Sequence, residues 1–373
     1  MTMDASVVIP AATSILAFAF AVAVLDQWRE RHKGYQLIWG IGMLFYGIAA
    51  GVEALAGAWG WNATLYATWY LTGAVWTAGW LGLGTAFLLG HTRFGYTYAF
   101  LLLFSGVIAL MLRNSPTYAG AGPLPILFLI GAVILALAIG AETYFSNPNW
   151  PRLAAAALIV ITVLSIALMA VTTLPAPGYA VDPATGQPTA TIVPGYLRLL
   201  TPITNFTGGL ALVLGAAFSA YVFMPKRRLL AYSLDPNQSG DEFLFNLLIA
   251  VVAIPVNLVA SLPGAIRALL SGRLHSRVPA TILIAIGALV PTITDSMARL
   301  GSTDLFYLGK FIGVVFLFAG FLVSIEVFRE FRVPFTSIRL GRARHEPAGA
   351  EQLAAEADSA GGSDPGAGSE VPV

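Results

Sequence analysis

From Val7 to Phe328 the chain is one apolar segment after another, most of them long enough to cross a bilayer. A spanning helix needs roughly 20 mostly apolar residues, within a range of about 17–25. The segments 7–25, 37–58, 64–90, 97–112, 125–145, 153–173, 196–224, 243–262, 280–297 and 305–328 meet or approach that length. Lipid offers no partner to a bare backbone N–H or C=O, so only helices and closed barrels cross it. These segments are long and lack a period-two alternation, which predicts helices. The expected fold class is therefore all-α, a polytopic transmembrane helical bundle in contact with the lipid bilayer. Charge is correspondingly scarce: Asp, Glu, Lys and Arg make up 10% of the chain, against about 25% in a soluble domain.

The few cations orient the segments, because Lys and Arg in short loops mark the cytoplasmic side. The first segment is preceded by a stretch with no Lys or Arg and followed by Arg29, Arg31 and Lys33. It is longer than the apolar core of a cleavable signal, and no small-residue cleavage site follows it. It reads as a first span with its N-terminus outside, and the plasma membrane is the expected location. Arg93, Arg152 and the Lys226-Arg227-Arg228 run place their loops inside, while loop 174–195 has no Lys or Arg; only Arg113 opposes the alternation. If 243–262 crossed, Arg267, Arg273, Arg277 and the tail arginines Arg329, Arg332, Arg339, Arg342 and Arg344 would lie outside. The segment also carries Asn246, Pro255, Asn257 and Pro263. Residues 243–272 are therefore expected to form a re-entrant or interfacial helix, leaving nine spans and a cytoplasmic C-terminus. The alternative is ten spans. Residues 346–373 lack aromatic residues and are rich in Ala, Gly, Ser, Glu and Pro. Such a composition cannot bury enough apolar surface to order itself, so the division is a membrane domain over 1–345 and a disordered cytoplasmic tail.

Two hairpins look alike. Residues 73–81 read GAVWTAGWL and residues 313–322 read GVVFLFAGFL. In the nine-span topology the hairpins 37–90 and 280–328 share an orientation, as duplicated transporter halves do; the small alphabet of membrane helices accounts for the likeness equally well.

Function is legible only in polar residues that sit where polar residues are expensive. An ionisable side chain near the bilayer centre costs about 2.5–3.5 kcal/mol on insertion scales. Glu53 lies near the outer end of the second segment, with Tyr46 seven residues earlier on the same face and a Gly47-x-x-x-Gly51 pair that permits close helix approach. It is a site carboxylate or proton carrier, or else half of a packing ion pair. The segment 196–224 opens with Arg198, Thr201, Pro202, Thr204, Asn205, Thr207, Gly208 and Gly209. Pro and paired Gly predict a broken helix whose free carbonyls face a site; a kinked helix with back-bonded threonines is the plainer reading. Asp295 closes the segment 280–297, and Lys310 sits about a turn and a half inside the last one, able to reach Glu53, Asp295 or Asp304. Glu53, Arg198, Asn205, Asp295 and Lys310 thus share one depth in the outer leaflet. Glu142 and Glu326 fall at inner helix ends, where water reaches them.

At 100° per residue Trp69, Trp76 and Trp80 fall within about 40° of one another. Such a stripe packs against lipid or fills the bundle, or it stacks a planar ligand. Trp59, Trp61 and Trp150 fit an interfacial aromatic belt.

Several chemistries are excluded. The chain has no Cys, so it has no disulfide, thiolate metal site or Cys nucleophile. His32, His91, His275 and His345 lie in loops, at a helix end or in the tail, which argues against bis-His haem. Iron–sulfur and nucleotide motifs, HExxH and GxSxG are missing, and a net charge of +1 gives no sign of nucleic acid. Asn62-Ala63-Thr64 is a sequon of use only in a glycosylating pathway. The polar cluster points first to a secondary transporter or permease with a small solute or ion site. The second class is a ligand- or lipid-sensing or accessory subunit that needs a membrane-protein partner. An enzyme acting on lipid comes last, for want of a motif.

Overall fold

The computed structural model describes residues 5–183, 186–236, 240–271, 275, 277–299, 305–324, 331–332 and 339–340. At 241, 269, 295, 296, 298, 299 and the last four it describes the backbone alone. The expected tail 346–373, with Asp304, Glu326 and the arginines beyond residue 324, lies outside the described side chains. Contacts divide the chain into two units, Met1–Arg329 and Glu330–Val373. Of the second, two antiparallel strands of two residues are described, Phe331–Arg332 and Arg339–Leu340.

The first unit is an all-α bundle with ten helices long and apolar enough to cross a membrane. They are α1 Ala5–Arg31, α2 Gly34–Trp59, α3 Ala63–Leu88, α4 Phe94–Met111, α5 Leu124–Tyr144, α6 Trp150–Val171, α7 Leu200–Phe223, α8 Phe243–Leu270, α9 Arg277–Arg299 and α10 Phe306–Val323. Each contains or overlaps one of the apolar segments.

Small residues set the packing, as expected where lipid removes the hydrophobic drive between helices. Along the α1–α2 seam Gly40, Gly47, Gly51 and Gly57 face Leu25, Phe18, Ser14 and Ser6. There the Ser14 hydroxyl donates to the Gly47 carbonyl at 2.8 Å. Gly82 on α3 and Gly208 on α7 cross backbone to backbone; a Cβ on either would overlap the other helix's main chain. Gly287 and Gly313 do the same for α9 and α10. α10 returns to the start of the chain, stacking Phe318 and Phe321 on Phe20 at 5.0 and 4.7 Å.

One sequence expectation changes here. α7 is not broken. Pro202 sits in its first turn, where a missing N–H costs nothing, and the helix runs through Gly208 and Gly209 to Phe223. Gly208 serves the α3 crossing rather than a break. The irregular span is α3, where Tyr70–Trp76 forms a π-helix between α-helical halves. This also separates the two hairpins compared above, because the matching stretch of α10 is regular α-helix. The segment expected to be re-entrant or interfacial is one continuous helix through Pro255 and Pro263, with no turn that folds it back.

Arg31, Arg93 and Lys226 mark one end of the bundle, hereafter the basic end. Asn62 marks the other, where its side chain caps α3 by accepting the Leu65 N–H at 2.9 Å. Trp150, expected in an interfacial belt, is instead fully buried and donates to the Gly90 carbonyl at 3.0 Å. Trp59 is 79% exposed.

Candidate functional site

The α2–α3 hairpin builds the site. Gly60 turns the chain at φ +87°, and the Asn62 cap starts α3. The descending α3 then brings Trp69 beside Glu53, six residues from the end of α2. The Trp69 indole N–H donates to Glu53 Oε1 at 2.9 Å. Lys310, five residues into α10, donates from Nζ to the same oxygen at 2.6 Å. The Glu53 side chain is 1% exposed and that of Lys310 17%. The ammonium also lies 3.7 Å from the centroid of the Phe306 ring, on its own helix. Tyr46 adds a second tie between the same helices: its hydroxyl donates to the Lys310 carbonyl at 2.8 Å. Both α2 residues that share a face in the sequence therefore meet Lys310.

An isolated buried carboxylate is costly, and a pair repays that cost only when geometry and extra hydrogen bonds are good. Here Oε1 takes two charge-assisted bonds, and the cation gains a ring face as well. The result is a charge pair bridging the N-terminal hairpin and the last helix, in the half of the bundle nearer Asn62.

Trp69 is the last α-helical residue before the π segment. Insertions of this kind recur at functional positions because they displace side chains from the regular register. The displacement is visible in the tryptophans. Trp69 turns to Glu53 on α2, whereas Trp76 and Trp80 turn to α6, bonding the Ser165 and Thr162 hydroxyls at 2.8 and 3.2 Å. The Trp stripe fills the bundle, and each indole N–H has a partner. At the exit of the π segment the Thr77 hydroxyl bonds the Thr72 carbonyl at 2.7 Å.

A series of hydroxyls continues from this point along α7. Tyr70 and Thr201 are 3.0 Å apart, Thr204 bonds back to the Leu200 carbonyl at 3.0 Å, and Thr207 meets Ser105 of α4 at 2.7 Å. The threonines of α7 thus divide between back-bonding and contacts with neighbouring helices.

Of the five candidate residues, the structure joins two, Glu53 and Lys310. Arg198 ends the short helix Gly195–Arg198 before α7; it is half-buried, and no described carboxylate pairs with it. Asn205 lies on α7 with its Oδ1 buried and without a hydrogen-bond partner. Asp295 belongs to α9, but its side chain is outside the described ones. Trp69 and Tyr46 complete the Glu53–Lys310 group. Tyr46 carried a sequence signal through its spacing from Glu53. Trp69 did not, because regular helical geometry assigned it to a shared stripe.

A hollow of about 400 Å³ opens at the Asn62 end, lined by Ala63, Thr64, Ala67, Thr68, Leu71 and Met169 among others; none of the four candidates with described side chains lines it. A smaller one of about 140 Å³ at the basic end holds His91, Arg93, Asn147 and Trp150. Arg93 is occupied there by the Thr143 carbonyl at 2.5 Å and by Asp235 at 3.5 Å. Glu142 accepts from the Asn147 side chain at this same end. Among the described residues no group of three or more His, Asp or Glu could hold a metal. The chain matches no protein-family model, no curated protein and no solved structure.

Proposed function

We propose that this multi-pass membrane protein is a secondary transporter of the permease type, with Glu53 and Lys310 as the charged element of a solute or ion site in the outer half of the bundle. The observation that carries the reading is the pair itself, a carboxylate 1% exposed whose counter-charge comes from a helix 257 residues away in sequence. An ionisable residue inside a membrane bundle is by default a candidate for an ion or proton pathway. The pair also sits beside the distorted span through Trp69, so loss of charge at Glu53 would release both Lys310 and the indole at the mouth of the π segment. Glu53 is the proton or cation carrier in this reading, and Lys310 the counter-charge that binds an anionic group when Glu53 releases it. The basic end faces the cytoplasm by the loop-charge rule. Arg198 and Asn205 are second-rank members, awaiting a solute that draws them in.

The test is purified protein in liposomes under an imposed potential, with an internal pH dye and a broad solute screen. The expected result is proton or solute flux in the wild type that Glu53→Gln abolishes. Equal flux in the two proteins, or none across the screen, overturns the reading.

One observation favours the second class, a sensing or accessory subunit. Glu53 Oε1 already has two donors and its side chain is buried, an arrangement that also serves as a fixed staple between hairpins. That class predicts one stoichiometric membrane partner on gentle purification, and a Glu53→Gln protein that loses the partner while no flux was present to lose.

A further inference from the structure

Both ends of α8 lie at the basic end of the bundle. Its first residue, Phe243, packs on Tyr96 near the start of α4 and on Tyr144 at the end of α5, with ring centroids 5.5 Å apart in each case. Near its other end, Ala265 shares a buried cluster with Tyr221 and Met224, which finish α7, and with Val278, which begins α9. His275 stacks on Phe223 at 4.9 Å, and the Arg277 guanidinium lies 4.1 Å from the same ring. From Phe243 to Ala265 a helix rises roughly 33 Å at 1.5 Å per residue. Running lengthwise, it would carry Ala265 to the Asn62 end. It runs across the basic end instead.

Its middle is fastened to the loop that follows α7. Asn257 Oδ1 accepts the N–H groups of Leu229 and Leu230 at 2.7 and 3.0 Å, and its Nδ2 donates to the Leu230 carbonyl at 2.8 Å. One turn on, the Ser261 hydroxyl accepts the Arg227 N–H at 2.9 Å. These partners lie on a narrow buried face made of Ala250, Ala253, Asn257, Ser261 and Ala265. The opposite face is exposed and apolar, with Leu244, Leu248, Val251, Val259, Leu262 and Ile266 along it.

The clamp engages only the loop's backbone. The side chains of Lys226, Arg227 and Arg228 are exposed, and no described carboxylate pairs with any of them. Three cations thus stand beside a long apolar stripe, with the loop covering the helix face that would otherwise meet water. An apolar face with adjoining Lys and Arg is the composition of helices that lie in a headgroup layer, and clustered cations there attract anionic lipid.

We propose that α8 lies in the plane of the membrane interface at the basic end, and that its apolar face and the Lys226–Arg228 loop form a docking surface for anionic phospholipid. Acyl chains cover the Leu248–Val259 stripe, and phosphate-bearing headgroups meet the three cations. Nine helices then cross the membrane. The proposal stands apart from the transport reading.

Two measurements on the full chain test it. The absence of Cys allows single labels at Leu248→Cys and Val259→Cys, which are about 16 Å apart along a helix. Quenching by nitroxide lipids should report the same depth for both; depths differing by most of that rise overturn the in-plane placement and the docking surface with it. In nanodiscs of mixed phosphatidylcholine and phosphatidylglycerol, lipid retained by the protein should be enriched in phosphatidylglycerol. The triple variant K226Q/R227Q/R228Q should lose that enrichment at least tenfold, since each surface cation contributes roughly fivefold. Equal retention of both lipids, or a triple variant that retains as the wild type does, overturns the headgroup assignment.

Discussion

The two ends of the bundle accommodate charge in opposite ways. At the Asn62 end, Glu53 and Lys310 neutralise each other inside protein, and an indole and a phenyl ring complete their surroundings. At the basic end, the side chains of Lys226, Arg227 and Arg228 are exposed while the loop's backbone is pinned at Arg227 by Ser261 and at Leu229 and Leu230 by Asn257. In the first case the side chains carry the structure and their charge cannot be removed singly. In the second the backbone carries it, and the charges remain available to something outside the chain. Stability and charge should therefore be coupled at one end and uncoupled at the other.

The largest effect is expected at the buried pair. Glu53→Gln leaves an ammonium inside the bundle without its counter-charge, a loss of about 3–5 kcal/mol in folding stability by analogy with other broken buried pairs. Equilibrium unfolding in mixed micelles measures it. The double variant Glu53→Gln with Lys310→Met removes both charges and should recover most of that loss, because an apolar replacement of a buried pair is often neutral or better. A double variant no more stable than Glu53→Gln would mean that the two side chains act separately, which the shared Oε1 contact denies.

Much of this contrast can be traced to the sequence, and the parts that cannot have local causes. The apolar segments mark all ten helices because lipid leaves the backbone no other choice. Lys310 has three carboxylates within sequence reach, and packing brings Glu53 to it, since Tyr46 and Glu53 both face α10. The π segment leaves no trace in composition, since Tyr70–Trp76 is as apolar as its flanks. It alone moves Trp69 off the stripe that regular geometry draws and onto Glu53. The polar opening of the segment suggests a break at Pro202 or the paired glycines, but the interruption lies at Leu199, Pro202 falls in the first turn of α7 and Gly208 is needed for the Gly82 crossing. At the basic end, loop charges single out 243–272 as irregular. Asn257 is legible there as a polar residue in an apolar run, though not as a clamp on a loop nearly thirty residues earlier.

A smaller loss is expected for Trp69→Phe. The ring volume is largely kept, but the carboxylate loses one charge-assisted donor, worth about 1.5–3 kcal/mol. If Glu53→Gln is introduced first, Trp69→Phe should cost less, because the indole then bonds a neutral amide. The difference between those two costs, read by the same unfolding assay, measures how far the indole belongs to the charge pair.

At the basic end the effect should divide between backbone and charge. Asn257→Ala removes three hydrogen bonds to the loop, and the groups it frees at Leu229 and Leu230 are only part-buried. The expected cost is about 1–2 kcal/mol, with faster amide hydrogen exchange confined to residues near 226–230. The triple variant K226Q/R227Q/R228Q should change folding stability by less than about 0.5 kcal/mol, as exposed substitutions usually do. The clamp uses main-chain atoms that Gln supplies equally well, so the loop should keep its exchange protection. A large stability loss in this variant would show that the three charges are structural after all, and that the two ends solve the same problem in the same way.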